Sequence, residues 1–377
     1  MGTRVQVQVQ SDEGQPGWRQ GIRETVLLID ANRLDEAAAC LADLEARHQR
    51  NRSVIFLQDV VEFRRVKADP VGSCLCPGGA REDRASNATI SVVVPYFNHL
   101  PYLGTLLDSL TQQTYRDFEV LVVDDFSSPD HDPTQLIESF NHKMNIHYHR
   151  LEEKGFTAGA RQRGAELAHG SILTFIDADD VAHCQRLECI NHVFATTAVV
   201  HLTHGYQMLS GDPEQLSRRL FSSVAEIDQV LVGCAPIRER MLLNVAEGRW
   251  ADSHSRPGCY DAPGVWGTHA GHVSYLSSVT SETPWRNGRS SLFSPWEDYE
   301  MSMQLLFRYD RSMHLDLPLS GYRLGSSTHM DHTVEQEPST RMRASATLLV
   351  VRQRIPARVK AVYRFGRHAL RRNRPKP

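Results

Sequence analysis

Residues 170–180 read GSILTFIDADD. Five of the six residues from Ile172 to Asp177 are apolar or β-branched, the pattern of a buried strand. The run then ends in three carboxylates within four positions, Asp177, Asp179 and Asp180. Like charges this close repel and raise one another's pKa, so the arrangement is costly unless a cation or a row of hydrogen-bond donors neutralises it. Two readings stand at this point. One is a metal site; the other is a turn at a strand end, where Asp side chains cap backbone N–H groups.

The chain on either side decides between them. Upstream, TISVVVP (89–95) predicts a strand, and HLPYLGTLLDSLTQQ (99–113) a helix with Leu103, Leu106, Leu107 and Leu110 at helical spacing. FEVLVVDD (118–125) predicts a second strand ending in acids, NIHYHR (145–150) a third, and FTAGARQRGAELAHG (156–170) a helix stopped by Gly170. GSILTFIDADD follows as the fourth strand. Strands alternating with helices imply a mostly parallel sheet flanked by helices, and in such sheets ligands bind beyond the carboxyl ends of the strands. Asp124, Asp125, Asp177 and Asp179 all fall at such ends, which turns separate turns into one constellation.

Before this region, TVLLID (25–30), LDEAAACLADLEARH (34–48) and SVIFLQD (53–59) read as strand, helix and strand, a small α/β extension over residues 1–67 without a catalytic motif. The Gly/Pro-rich stretch 68–88 reads as a linker. Within it Cys74 and Cys76 form a lone C-x-C, better explained as free thiols than as a metal site. Seven cysteines, an odd number without a regular framework, suggest a reduced, cytoplasmic protein. No apolar run approaches the roughly 20 residues of a membrane span, and MGTRVQVQVQSDEGQPG lacks the apolar core of a signal peptide.

A formal net charge of −3 conceals an asymmetry. Residues 341–377 carry twelve Lys/Arg and no Asp or Glu, leaving thirty basic against forty-five acidic residues elsewhere. The segment RIPARVKAVYRFGRHALRRNRPKP, read as a helix from Pro356, places Lys360, Arg364, Arg367 and Arg371 on one face and Val359, Val362, Tyr363 and Leu370 beside it. A basic amphipathic tail over 336–377 suits an anionic membrane surface, so peripheral attachment at the inner face of the membrane is expected of it. No nucleic-acid-binding motif appears, and no nucleic-acid partner is expected.

The stretches VVVPYFNHLPYLGTLLDSLTQQTYRDFEVLVVDDFSSPD and EKGFTAGARQRGAELAHGSILTFIDADD together resemble the nucleotide-binding half of the family 2 glycosyltransferases, with their GT-A fold. The resemblance is close over 89–185 and continues more loosely to about 330 through WEDYEMSMQLLFRYD and GYRLGSS. It implies a transferase domain over 89–335, with a nucleotide-binding half (89–200) and an acceptor half (201–335). By that likeness Pro95, Tyr96 and Asn98 border the nucleotide, while Asp125, assisted by Asp124, binds the donor's base. Arg161 stands near the nucleotide, although Gln162 replaces the usual Asn. Asp177 and Asp179 match the DxD, Asp177 toward the ribose and the metal and Asp179 on the metal.

Chemistry supports the same assignment. A sugar nucleotide carries two phosphates, and Mg²⁺ or Mn²⁺ is held by one or two carboxylates plus phosphate oxygens. The acids at 177–179 would then bind the diphosphate through the ion, which stabilises charge as the nucleoside diphosphate leaves.

Displacement at an anomeric carbon also needs a base for the attacking hydroxyl. SPWEDYEMSMQLLF (294–307) offers two acids. Ser294, Pro295 and Glu297 read as N-cap, N1 proline and capping-box Glu, which gives Glu297 a structural role. Asp298 is therefore the favoured base, with Glu297 the alternative, and the resemblance implies inversion at the anomeric carbon. His329 is a candidate metal ligand by the same likeness. His269 and His272 stand before the acidic helix, and Trp285 and Trp296 are candidates for stacking on a sugar or for packing.

The Q-x-x-R-W signature of processive synthases is absent, which favours addition of one sugar or a short series to a glycan, lipid-linked or small-molecule acceptor. A nucleotidyltransferase would carry a Gly-rich phosphate loop where YFNHLPY stands, and a dehydrogenase G-x-G-x-x-G. A non-catalytic sugar-nucleotide-binding protein is the remaining alternative.

Overall fold

The computed structural model describes residues 17–47, 52–67, 89–209, 216–233, 238–239, 242, 273–285, 297–309 and 311–323. The linker 68–88, the tail 336–377, Cys74, Cys76, His269, His272, Ser294, Pro295, Trp296 and His329 lie outside the described residues.

The strands are β1 (Ile90–Tyr96), β2 (Phe118–Asp124), β3 (Asn145–Arg150), β4 (Ile172–Phe175), β5 (Val181–Ala182), β6 (His201–Met208), β7 (Leu231–Gly233), β8 (Val273–Leu276) and β9 (Ser312–Tyr322). They form one sheet in the order β3-β2-β1-β4-β8-β6-β9-β5, with β7 also on β9. The expected parallel arrangement holds from β3 to β4. Beyond β4 the sheet is mixed: β8 runs antiparallel to both β4 and β6, and β5 and β7 antiparallel to β9. Parallel neighbours need long crossovers, which the first half has in its helices.

Every residue of β1 and β2 is buried, as expected of strands covered on both faces. Pro95 is tolerated in a central strand because β4 pairs with β1 only as far as Val93, so no ladder hydrogen bond is asked of residue 95 on that side. Three helices follow the strands: α4 (Leu100–Thr111), the short α5 (Thr134–Glu138) and α6 (Phe156–Leu167). In α4 the four leucines at helical spacing are all buried. Helix α6 packs on β1 and β2 with small residues, and a Cβ on Gly164 would lie 2.3 Å from Val93 Cγ1, so only glycine permits that approach. It ends at Leu167, before Gly170, which instead lies tight against the start of β1. Helix α7 (Arg186–Thr196) and helix α8 (Glu297–Arg308) complete the layers.

The N-terminal segment departs from the strand, helix, strand reading. Its described residues form helices: α1 (Trp18–Asp30), α2 (Leu34–Arg47) and α3 (Arg52–Lys67). The apolar runs TVLLID and SVIFLQD are pieces of longer helical stripes. Trp18, Ile22, Val26 and Ile29 are buried along α1, while Leu27, in the middle of the supposed strand, is 62% exposed. Val54, Leu57, Val60, Val61 and Arg64 do the same along α3. The three helices share a second core with Met303, Leu306 and Phe307 of α8.

Candidate nucleotide and metal site

The register brings the ends of three strands level, since Tyr96 pairs with Asp124 and Asp124 with Arg150. On the other side of β1, the Ile176 N–H donates to the Val93 carbonyl and carries the chain into the acidic turn. Pro95, Tyr96, Asn98, Asp124, Asp125, Asp177 and Asp179 therefore gather at one edge of the sheet.

Asp124 is fully buried and holds this edge together. Its Oδ1 accepts the Ser127 N–H at 2.8 Å, and its Oδ2 accepts from Tyr148 Oη at 2.8 Å and Arg150 Nη1 at 2.7 Å. Burial, then the bond to Asp124, pushes the Tyr148 hydroxyl up to about 12. Neither Tyr148 nor Arg150 was singled out in the sequence. The signal was their i, i+2 spacing on β3, which puts both on one face.

Asp125 reaches the next loop. Its Oδ1 accepts the Gly155 N–H at 2.6 Å, where α6 begins. Burial raises its carboxyl above the usual range, partly offset by the Gly155 N–H and by Lys154. Asn98 ties the loops after β1 and β2, its N–H donating to Ser127 Oγ and its Oδ1 accepting the Ser128 N–H at 2.9 Å. The buried Tyr96 hydroxyl donates to the His131 carbonyl at 2.6 Å.

Three non-glycine residues around this edge adopt left-handed φ: Asn98 at 56°, Phe126 at 64° and Phe156 at 59°. Such a φ is unfavourable for a bulky residue and costs of order 1 kcal/mol or more. Phe126 and Phe156 are also 50% and 44% exposed, rare for large apolar side chains here. Cations accompany them: Arg150 lies 5.1 Å from the Phe126 ring centre, and Lys154 lies 5.8 Å from that of Phe156 and 3.6 Å from that of Phe97. Open aromatic faces beside a carboxylate and two cations suit a nucleobase.

The acidic turn answers the question of cost in two ways. Asp177 Oδ1 accepts from Arg161 Nη2 at 2.7 Å, so one charge is paired by a buried arginine on α6. The Arg161 guanidinium lies 5.1 Å from the ring centre of Trp285, whose Nε1 donates to Tyr275 Oη at 3.0 Å. Trp285 is buried and packs on Phe175, so it is a packing residue.

The Asp180 N–H donates to the Asp177 carbonyl, closing the turn. Asp180 Oδ1 accepts the Arg323 N–H at 3.1 Å, while its Oδ2 is buried with no hydrogen-bond partner among the described residues. Burial first, then Asp179 and Asp177, hold its carboxyl well above the carboxylate range. Arg323 Nε also donates to the Asp179 carbonyl at 2.9 Å. Beneath the turn, burial brings the Arg186 guanidinium down to about 9 against the pull of Asp180 and Asp177. It donates to Ser320 Oγ, Thr174 Oγ1 and the Phe175 carbonyl.

A buried carboxylate oxygen without a partner, beside two more carboxylates in the same turn, fits a divalent cation. Among the described residues no group of three or more His, Cys, Asp or Glu converges as a ligand set. A cation at Asp177 and Asp179 would thus take one or two protein oxygens and the rest from phosphate or water, the usual Mg²⁺ pattern. Glu297 and Asp298 open α8, and the structure describes their backbone only.

This is an α/β unit of the GT-A type, with an acidic turn at the carboxyl edge of a mixed sheet. Residues 91–221 match the family model described as glycosyl transferase family 2. Among curated proteins, the amylovoran biosynthesis glycosyltransferase AmsB of Erwinia amylovora is 37% identical over 101 residues, 26% of this chain and 34% of that one. The poly(ribitol-phosphate) beta-N-acetylglucosaminyltransferase TarS of Staphylococcus aureus is 35% identical over 102 residues, 26% of this chain and 17% of its own length. The chain thus spans about a third or less of these relatives. The crystal structure of S. aureus TarS 1–349 with UDP-GlcNAc is 20% identical, covers 64% of this chain and 60% of that one, and superposes with a TM-score of 0.46.

Proposed function

We propose that this protein is a metal-dependent, inverting glycosyltransferase. It moves one sugar, or a short series, from a nucleotide-diphosphate sugar to a hydroxyl of a glycan, lipid-linked or small-molecule acceptor. The observation that carries this reading is the acidic turn 177–180, whose Asp180 Oδ2 has no partner among the described residues, set level with the aromatic edge around Asp125. The turn suits a cation and diphosphate; the edge suits a base. Asp177 and Asp179 would hold Mn²⁺ or Mg²⁺, which supplies charge stabilisation for the departing nucleoside diphosphate. Asp298, with Glu297 as the alternative, takes the proton of the attacking hydroxyl, and His329 is a further candidate for the cation.

The test is thermal stabilisation by a panel of UDP-, GDP- and dTDP-sugars with and without Mn²⁺, followed by release of nucleoside diphosphate from those that bind. Stabilisation that requires the metal, and that disappears in Asp179→Ala while the melting temperature of the free protein holds, is the expected result. Donor binding unchanged in that variant would remove the metal role from the turn.

The basic tail is proposed to bring the enzyme to an anionic membrane, where a lipid-linked acceptor would be met. Among the described residues no helix is long and apolar enough to cross a membrane. Each Lys/Arg near such a surface contributes about 1 kcal/mol. Co-sedimentation with vesicles containing anionic lipid is expected for the full chain and not for one ending at residue 340. Equal binding by both would dismiss the tail.

A further inference from the structure

Helix α8 belongs to two cores at once. Met301 and Leu305 pack in the sheet core, whereas Met303, Leu306 and Phe307 pack against α1 and α3. Its last turn is gripped by buried arginines. Arg64 of α3, 2% exposed, donates from Nε to the Phe307 carbonyl at 3.2 Å and from Nη1 to the Ile29 carbonyl at 2.7 Å. Arg238, also 2% exposed, donates to the Tyr309 carbonyl at 3.3 Å and pairs with Asp30 at the end of α1. The carbonyls at a helix C-terminus lack intrahelical partners and carry the negative end of the dipole, so buried cations there stabilise both α1 and α8. Aromatic contacts reinforce the grip: Phe56 meets Phe307 edge-on at 5.2 Å, Phe63 meets Tyr309 at 5.9 Å, and Arg308 covers Phe63.

We infer that the N-terminal three-helix unit is a positioning element of the transfer site, acting through Arg64 on α8 and so on the acids at the start of that helix. This rests on the transferase reading above. The lever is short and stiff. Phe307 lies nine residues from Asp298, about 13 Å along the axis at 1.5 Å per residue. A tilt of roughly 5° at the clamped end would move the other end by about 1 Å, and a displacement of that size can cost on the order of 10²-fold in rate. Arg64 touches no substrate; it is a positioning residue.

The experiment uses the full chain and the sugar nucleotide that gives metal-dependent diphosphate release in the panel above. Arg64→Met is expected to lower kcat by about 10–100-fold with donor affinity unchanged. Arg64→Lys, which keeps a cation between the two carbonyls, should recover much of the loss. In an Asp298→Asn or Glu297→Gln background, whichever acid proves essential, Arg64→Met should add little further loss, because the displaced group is already gone. A folded Arg64→Met with wild-type kcat overturns the inference, and so does the same fold-loss in both backgrounds. If Arg64→Met does not fold, Phe63→Leu carries the test: it loosens the half-buried contact with Tyr309 and Arg308, and a kcat loss of about threefold at constant donor affinity is expected. An unchanged kcat there overturns the inference. Failure of the transferase reading looks different, since wild-type protein would then release no diphosphate from any donor.

Discussion

Asp180 is the residue on which the cost of the acidic turn falls. Its raised carboxyl means that the folded chain keeps a proton which the unfolded chain, with a pKa near 3.8, has already released. That contribution to stability is complete below about pH 4 and is lost as the pH rises through the higher folded-state value. Asp180→Asn removes the titration, keeps an acceptor for the Arg323 N–H, and turns an N–H₂ group toward the acidic neighbours. The variant's melting temperature is therefore expected to exceed that of the wild type by a margin that widens as pH rises above 4, at about 1–2 °C per kcal/mol for a chain of this size. Saturating Mn²⁺ should narrow it by neutralising the same charge. Scanning fluorimetry across pH 4–8 reads both effects, and a margin independent of pH would place the burden on another group. Asp180 was visible in the sequence as a third acid, but its neighbours were not. The donors that fix Asp124 and Asp180 come from Tyr148, Arg150 and Arg323, 24 to 143 residues away, and only the sheet register brings them there.

At the scale of elements, period decided what was legible. The strands from β1 to β4 and helices α4 and α6 were readable because each carried one unbroken pattern between turn signals. The N-terminal helices were misread because a six-residue apolar window cannot separate a strand from part of a helical stripe. The second half of the sheet escaped for another reason: β6 and β9 carry histidines where a buried strand should be apolar. His201, His204 and His314 are all fully buried. Burial pushes His201 and His314 down to about 3, with His314 adding to the effect on His201, and lowers His204 well below its ordinary value. These rings stay neutral in the fold, while the unfolded chain takes up protons as pH falls below about 6.5. Stability from His201 and His314 is thus full above pH 6.5 and is lost between there and about pH 3, at roughly 1 kcal/mol per histidine by pH 5.5. His201 has no hydrogen-bond partner for either ring nitrogen among the described residues, so an apolar replacement loses nothing and sheds a desolvation penalty. His201→Leu is expected to match or exceed the wild type at pH 7.5 and to gain roughly 1 kcal/mol on it at pH 5.5 by urea denaturation. An equal difference at both values would exclude the histidine as the source.

For the molecule as a whole, the issue is whether the N-terminal unit is a separate domain. The sequence divides it off by a linker-like stretch, and it has its own apolar cluster, both marks of independence. Against that, the cluster is incomplete without α8: Met303, Leu306 and Phe307 are 0–1% exposed inside it, while Met301 and Leu305 of the same helix are equally buried in the sheet core. A helix cannot remain folded in one core and be lost from the other when alternate residues serve each. The two cores should therefore unfold together. Leu57 of α3 is fully buried and touches the N-terminal core alone, so Leu57→Ala reports on the coupling. It is expected to cost about 2–5 kcal/mol, and to do so in a single urea transition followed identically by far-ultraviolet circular dichroism and fluorescence. Hydrogen exchange gives the same information by element. In the variant, amides of α8 and of β8 in the sheet core should exchange faster in step with those of α3. Faster exchange confined to α1–α3, with a second urea transition left where it stands in the wild type, would make the N-terminal unit an independent domain and leave α8 to the sheet.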